Sequence, residues 1–506
     1  MATEARETEN KYEFGPGAVL PFLGDLPGVA QESDLAEQKL EAEYFDTADL
    51  RLVRAGVTLR RRRGGSDAGW HLKLPLEAGS RREIRLPLSR AGRHVPAELA
   101  TLVRAYARGQ TLVPVALVTT VRRPRALLDA AGASLAEVAT DDVSASTMGE
   151  STTLTHWREV EVELADGGPR LLRAADKRLR RSGLRPARHA AKLERALAGQ
   201  LAAPEGESKL TPHSAAGDVV LAYTRSQAAI LQALDPMIRR DEPDSVHDMR
   251  VATRRLRSTL KSFGEILGLP GTGRLRAELK WLGGVLGEAR DNEVLGSYLH
   301  ARLAALPVDL LMGPVQARAS AHFAPRAASA RASLLEALDS GRFIALLNDL
   351  DQALGGPPPA AKARRAAADV LPAAVQRTRR RVRRRARRAG RAAAGPAREV
   401  ALHETRKAAK DARYTAEAAS LTGRKRDHRS ARRMKKLQAV LGDHHDAVVA
   451  RDTAREIGVR AHLAGENAFS FGLLYEGCQR DALMLEKQVR KQWARRFGSE
   501  YGGWRH

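Results

Sequence analysis

Partway along the chain the spacing of apolar residues changes its period, and no single sheet or helix bundle satisfies both halves. From Glu7 to about Leu197, polar and apolar residues alternate in short runs bounded by Gly and Pro, the pattern of half-buried strands. After Asp218, long Ala-, Leu- and Arg-rich stretches repeat with the period of helices, about 3.6 residues. Between them, Leu201–Gly217 (LAAPEGESKLTPHSAAG) collects Pro, Gly and Ser without periodicity and reads as a linker. At 506 residues the chain is also too long for one ordinary core. The expected layout is a strand-rich domain over residues 1–200, a linker over 201–217, a helical domain over 218–490 and a tail over 491–506.

In the first domain, Glu7–Phe14, Thr58–Arg62, Trp70–Pro75, Arg81–Leu88, Leu135–Val143 and Arg158–Leu164 are predicted strands, and Ala97–Arg108 and Leu171–Ser182 are predicted covering helices. The helical half is expected to break at Pro236, Pro243, Pro270 and Pro307, and to divide at Gly355–Ala361 (GGPPPAA). It also repeats itself. HDMRVATRRLRSTLK (247–261) returns as HETRKAAKDARY (403–414), and LKWLGGVLGEARD (279–291) returns as MKKLQAVLGDHHD (434–446). His403 follows His247 by 156 residues and Leu441 follows Leu286 by 155. Two independent blocks at nearly one offset indicate a duplicated helical unit, with repeats over about 218–354 and 362–490.

The strand half carries unusual charge. In Glu7-Thr8-Glu9-Asn10-Lys11, the residues Glu7, Glu9 and Lys11 share one strand face. Neighbouring carboxylates repel unless a cation such as Mg²⁺ or Mn²⁺ lies between them. Lys11 would add a point charge for phosphate. Taken alone, the motif also fits an edge strand with a polar face. Other strands follow suit: Glu159, Glu161 and Glu163 alternate with Val160, Val162 and Leu164, Arg60 shares a face with Arg62, and Lys73 sits between Leu72 and Leu74. Arg81, Glu83 and Arg85 likewise share a face. One face charged with both signs and one apolar face suit a closed barrel with charges inside and helices outside.

These motifs together resemble the CYTH domain of the triphosphate tunnel metalloenzymes, over roughly Glu7 to Leu197. The resemblance rests on ExExK (7–11), YFDT (44–47), LRRR (59–62), HLKLP (71–75), RREI (81–84), Asp141-Asp142, REVEVEL (158–164) and AKLERAL (191–197). It implies an α+β chain that opens with an eight-stranded antiparallel β tunnel and flanking helices. It further implies Mg²⁺ or Mn²⁺ dependence and hydrolysis of inorganic triphosphate or polyphosphate-type substrates. Nucleotide cyclisation, also known in such barrels, remains compatible with the motifs. By the same resemblance Glu7, Glu9, Glu159 and Glu161 hold the metal, and Glu7, Glu9 and Lys11 are catalytic. Lys11, Arg60, Arg62, Lys73, Arg81, Arg123 and Lys192 contact phosphate. The chain departs from the family's R-x-E-x-E by placing Arg85 at an acidic position, and His189-Ala190-Ala191 precedes Lys192 where a hydroxyl is common. Both changes favour binding over vigorous turnover and bear on the number of metals.

On a helix, His247, Arg250, Arg254, Arg257 and Lys261 form one stripe, repeated by His403, Arg406, Lys410 and Arg413. Like charges along a face destabilise a helix by a few tenths, about 0.2–0.5 kcal/mol, per pair. Carboxylates from neighbouring helices or a bound polyanion would offset them. The stripes show no matching set of acids in the sequence, which suits holding a polyanion. This half resembles the CHAD family of duplicated four-helix bundles with basic channels, associated with inorganic polyphosphate. The resemblance extends the polyphosphate-binding positions to Lys280, Arg290, Lys435, His444 and His445, with Arg290 standing where the second repeat has His445.

The formal charge of +25 agrees with a polyanionic partner. Arg377–Arg391 (RTRRRVRRRARRAGR) fits either a solvated helix face or a polyanion contact. Only 4% aromatic residues leaves few stacking platforms for single-stranded nucleic acid, so nucleic acid is expected to bind only non-specifically. A polyphosphate-binding protein with weak or no turnover, and a non-specific nucleic-acid binder, are the alternative readings. A single cysteine, Cys478, excludes an internal disulfide framework. Residues 1–14 lack an apolar core and no long apolar run occurs, so neither a signal peptide nor a membrane span is expected. Cytoplasmic residence follows, with polyphosphate granules as the place such binding would lead.

Overall fold

A computed structural model describes residues 3–76, 80–88, 94–149, 152–201 and 209–497. The chain divides into two compact units, Met1–Glu207 and Ser208–His506. Part of the expected linker, residues 202–208, and the end of the expected tail, 498–506, lie outside the described residues.

The first unit begins with β1 (Thr3–Glu7), β2 (Glu9–Phe14), β3 (Gln31–Asp34), β4 (Gln38–Asp46) and helix α1 (Arg51–Arg54). Next come β5 (Thr58–Arg63), β6 (Gly69–Pro75), β7 (Arg81–Pro87) and the short helices α2 (Ala97–Leu102) and α3 (Arg104–Ala107). It ends with β8 (Val113–Leu128), β9 (Ser134–Thr147), β10 (Leu154–Leu164), α4 (Pro169–Arg181), β11 (Leu184–Pro186) and α5 (Lys192–Ala196). The buried Asp46 carboxylate accepts hydrogen bonds from the N–H groups of Thr47, Leu52 and Val53 at 2.7, 2.8 and 2.9 Å. It thereby caps α1 and turns the chain from β4 toward β5.

All strand pairings are antiparallel, in the order β1-β7-β6-β5-β4-β8-β9-β10-β2-β11, with β3 beside β8. The sheet therefore has eleven strands, not the expected eight. The excess has three sources: a break at Thr8 splits the first strand between β7 and β10, and β3 and β11 are only four and three residues long. Thus β1, at one end of the strand order, and β2, near the other, are separated by one residue.

The apolar strand faces lie under helices. Leu59, Leu72, Leu74 and Ile84 pack with Leu99, Leu102 and Tyr106 of α2 and α3. Tyr12, Val138, Val160 and Val162 pack with Leu171, Ala175 and Leu179 of α4. α5 differs, because Leu193, Ala196 and Leu197 pack on Ala42, Tyr44, Val118, Val143, Ala145 and Trp157. Ala42, Tyr44 and Val118 also line the charged cavity described below, so α5 sits against the sheet's interior face.

The second unit is all helical among its described residues. α6 (Ala216–Arg239), α7 (Ser245–Leu267), α8 (Thr272–Ala304), α9 (Val315–Asp339) and α10 (Gly341–Gly355) precede α11 (Ala367–Arg391), α12 (Pro396–Ser420), α13 (Lys425–Leu463) and α14 (Phe469–Phe497). α6 starts at Ala216, inside the expected linker, because Ala216 and Ala367 donate their N–H groups to the carbonyls of Arg365 and Ser214 at 2.8 and 2.9 Å. This reciprocal pair ties the two repeats together at their starts. Pro236 does not break α6; it sits in the last turn, where few helical hydrogen bonds remain to be lost. α14 likewise runs on to Phe497, past the expected boundary at residue 490. α7 and α12 pack side by side, with Lys261 Nζ 2.5 Å from Asp411 and Thr415 donating to Ser262 at 2.9 Å.

Candidate active site and polyanion groove

Alternation along the strands sends every second side chain into one cavity of about 190 Å³. Glu7, Glu9, Lys11, Arg60, Arg62, Lys73, Arg81 and Lys192 all line it, as do Glu83, Arg85, Arg122, Glu137, Glu161 and Glu163. Including Asp67, eight cationic and seven acidic side chains line the cavity among the described residues. The near balance leaves room for a ligand that brings both a metal and phosphates.

The charges segregate into two poles. At one, Glu161 of the lining clusters with Asp141 and Glu159 behind it, all three buried with carboxylate oxygens within 4.8 Å of one another. Lys192, at the start of α5, places Nζ 2.8 Å from Asp141, 2.8 Å from Glu159 and 2.7 Å from Glu161. Arg122 grips Asp141 through two bonds of 2.9 and 2.7 Å and also pairs with Glu161, which Lys11 reaches as well. Burial alone would raise Glu161, yet Lys11, Lys192 and Arg122 hold it well below the usual carboxylate range. Lys192 is correspondingly held well above its ordinary value: burial opposes its charge, but the three carboxylates prevail. Three clustered oxygen donors of this kind suit a hard divalent cation.

At the other pole Glu7 bonds Lys73 Nζ at 2.5 Å and lies 3.7 Å from Arg85, which also pairs with Glu83. His71 Nδ1 lies 2.8 Å from Glu83, and Arg60 is 3.8 Å away. Glu9 is 3.3 Å from Lys11. Glu163 faces Glu9 across the β2–β10 pairing and is pushed up to about 7, by burial and then by Glu7. Arg60 Nε and Arg62 Nε are buried without an acceptor. Burial followed by the charge of Arg60 lowers Arg62 to about 9. Buried guanidinium nitrogens left without an acceptor are costly.

In the second unit the two stripes converge. Arg250 and Arg254 of α7 stand close enough to Arg406 and Lys410 of α12 to disfavour their charge. Burial, then Arg406, Arg254 and Arg250, bring Lys410 down to about 7. The His403 and His445 rings lie 4.3 Å apart, and burial with Arg406 lowers His445 to about 4. Gly287 and Gly442 lie beneath the guanidinium groups of Arg250 and Arg406, 3.6 Å from where a Cβ would be. Asp291 bonds Arg250 at 2.6 Å, and its counterpart Asp446 lies 3.7 Å from Arg406. The groove is thus a two-fold repeated constellation. Nε of Arg254, Arg290 and Arg406 and Nδ1 of His403 are buried without a partner.

The CYTH domain family matches residues 27–192 and the CHAD domain family residues 222–455. The chain belongs to the CYTH–CHAD proteins. An uncharacterized protein of Mycobacterium tuberculosis, found alike in strains H37Rv and CDC 1551 / Oshkosh, is 38% identical over 502 residues, covering 96% of each chain. Among solved structures, PptA from Streptomyces chartreusis is similar at 21% identity with a TM-score of 0.45, over 55% of this chain and 99% of that one. The CHAD domain from the plant Ricinus communis is similar at 24% identity with a TM-score of 0.41, over 60% and 95%. Among the described residues no helix is long and apolar enough to cross a membrane.

Several expected site residues of the CYTH–CHAD chain fall elsewhere. In the CYTH domain, Arg123 points outward, more than half exposed, and bonds Glu37 and Asp142 at 3.0 and 2.6 Å. Its neighbour Arg122 takes the inward place. Glu7 and Glu9 do not join the carboxylate cluster with Glu159 and Glu161; Lys73 and Lys11 engage them instead, and Asp141 completes the cluster. In the CHAD domain, His444 is buried and feels Glu486 and Glu399 rather than the stripe, because its side chain projects about 100° around the helix from His445. The stripes also have acids. Besides Asp291 and Asp446, Asp411 pairs with Lys261 at 2.5 Å, Glu417 with Arg413 at 2.6 Å and Glu293 with Arg290 at 2.7 Å. Among the described residues no carboxylate comes within 4.0 Å of Arg254, Arg257, Lys280, Lys410 or Lys435. His247, Arg257, Lys280 and Lys435 are exposed.

Proposed function

We propose that the CYTH domain cleaves a phosphoanhydride bond of inorganic triphosphate or a polyphosphate-type substrate with Mg²⁺ or Mn²⁺, while the CHAD domain holds polyphosphate. The observation that carries this reading is the meeting, at one cavity, of Glu161 from a buried three-carboxylate cluster with eight cationic side chains. Phosphoryl transfer asks the protein mainly for positioning and charge neutralisation, and both kinds of group are present. The near meeting of β1 and β2 at Thr8 supports a tunnel around that cavity.

Asp141, Glu159 and Glu161 would hold the cation, whose part is to polarise a phosphoryl oxygen. Lys192, which balances those carboxylates, would turn to a phosphate oxygen. Arg60, Arg62, Lys73, Arg81 and Lys11 would orient the chain of phosphates and stabilise charge on the leaving group. Glu7 and Glu9 keep Lys73 and Lys11 extended toward the same space. Substitution of Glu161 by Gln tests the reading: phosphate release from tripolyphosphate with Mg²⁺ or Mn²⁺ should vanish. Absence of metal-dependent release from the unaltered protein would overturn it.

Arg85 favours a second reading, a polyphosphate-binding protein of weak turnover. It neutralises Glu7 and Glu83, so that pole has little need of a metal. Tight tripolyphosphate binding combined with turnover near background would select it.

A further inference from the structure

Leu40, Ala42 and Tyr44 of β4 stand with Val118 of β8 along the charged cavity and give it one apolar wall. Tyr44 closes that wall. The β4–β8 register shifts between Tyr44 and Phe45, and irregularities of this kind re-aim side chains beside a site. Phe45 joins the cluster under α2 and α3, and Tyr44 the cluster with α5. Ring packing with Leu193 and Ala196 asks for nothing that phenylalanine would not supply, so the hydroxyl needs a reason of its own.

Tyr44 is 3% exposed, and its hydroxyl has no acceptor among the described residues. Arg60, opposite Tyr44 in the β4–β5 pairing, donates from Nη1 to the phenol oxygen at 3.3 Å. That bond engages the oxygen and leaves the proton unused. Burial would raise the phenol, but Arg60, then Lys192 and Lys73, hold it below its ordinary value. Lys192 stands at the carboxylate pole, and Arg60 and Lys73 stand at the other. Tyr44 therefore faces both poles. Ala191 also lines the cavity and brings no hydroxyl. The Tyr44 hydroxyl adds a donor without adding charge, so eight cations still face seven acids.

We propose that Tyr44 is a further catalytic residue, whose hydroxyl donates a hydrogen bond to an oxygen of the phosphoryl group lying between the two poles. The proposal rests on the reading that the cavity takes a phosphate chain. The O–H bond stays intact, and the hydrogen bond strengthens as negative charge gathers on the oxygen it meets. Arg60 assists, because a hydroxyl whose oxygen accepts from a cation gives its own proton more strongly.

The test uses the full chain carrying Y44F, which keeps the ring and removes the donor. With tripolyphosphate and Mg²⁺ or Mn²⁺, kcat should fall about tenfold or more and KM should move less, as when an interaction of the transition state is lost. The unfolding midpoint should stay, because the ring contacts remain. An unaltered rate overturns the proposal. Adding Y44F to R60K should lower the rate again; no further loss means that the hydroxyl acts only by holding Arg60, and that result also overturns it. If the unaltered protein releases no phosphate, the functional reading fails and calorimetry still judges the contact. In an R254Q/K410Q background, which weakens the helical groove, Y44F should bind tripolyphosphate about threefold or more less tightly. Equal affinity there overturns the contact itself.

Discussion

The two units handle concentrated positive charge differently. The CYTH cavity interleaves its cations with carboxylates: Lys192 alone touches three, and eight bases face seven acids. The CHAD groove gives acids to the flanks of its stripes and leaves Arg254 and Lys410 without one within 4.0 Å among the described residues. As a result Glu161 and Lys192 stay charged despite burial, whereas Lys410 is brought to about 7. Paired charges make a site that is set before a ligand arrives, as catalysis requires. Unpaired charges leave a site whose protonation the ligand completes.

The largest expected effect breaks the first half of this contrast. Glu161→Gln removes a carboxylate shared by Lys11, Lys192 and Arg122, and metal-dependent phosphate release should fall by about 100-fold or more. Long-polyphosphate affinity, measured on the same sample, should stay within about twofold if the two jobs are separate. Next in size is R254Q/K410Q in the groove. Each lost charge-assisted hydrogen bond is worth about 1.5–3 kcal/mol, so binding by titration should weaken tenfold or more while tripolyphosphate hydrolysis persists.

A pH series sharpens the second half. Lys410 titrates at about 7 in the free protein, and a bound polyanion raises that value, so binding takes up a proton. Affinity should be greatest below about pH 7, where Lys410 is already charged. It should decline as pH rises through the bound-state value, by at most about tenfold per unit for one proton. Lys410→Arg should flatten the decline, and competition titrations at constant ionic strength measure both slopes. The smallest effect belongs to Arg123→Ala, whose partners lie outside the cavity. Steady-state rates should change by less than about twofold.

Much of this was legible in the sequence, and the misses share a cause. Alternation put Lys11, Arg60, Arg62, Lys73 and Arg81 on charged strand faces, whereas Lys192, in a helix, rested on the family motif alone. The resemblance named Arg123 where Arg122 turns inward, and Asp141-Asp142 stayed open, because two like residues in succession do not reveal which parity faces inward. The same ambiguity on a helix separates His444 from His445. Glu7 and Glu9 share a face with a metal-binding look, but which lysine would engage them depended on the cross-strand neighbours of β1 and β2. The break at Thr8, which decides those neighbours, has no local marker. Asp291 and Asp446 were readable, since both repeats end the same block with Asp at one offset.

α5 closes against the interior of the CYTH sheet through Leu193, Ala196 and Leu197. On the proposed function, a cavity flanked by this helix would read ends rather than middles. A linear phosphate chain could offer it only a terminus, and a ring of phosphates would have nothing to insert. Long chains would then shorten stepwise from their tips, with the number of tips, not the mass of polymer, setting the rate.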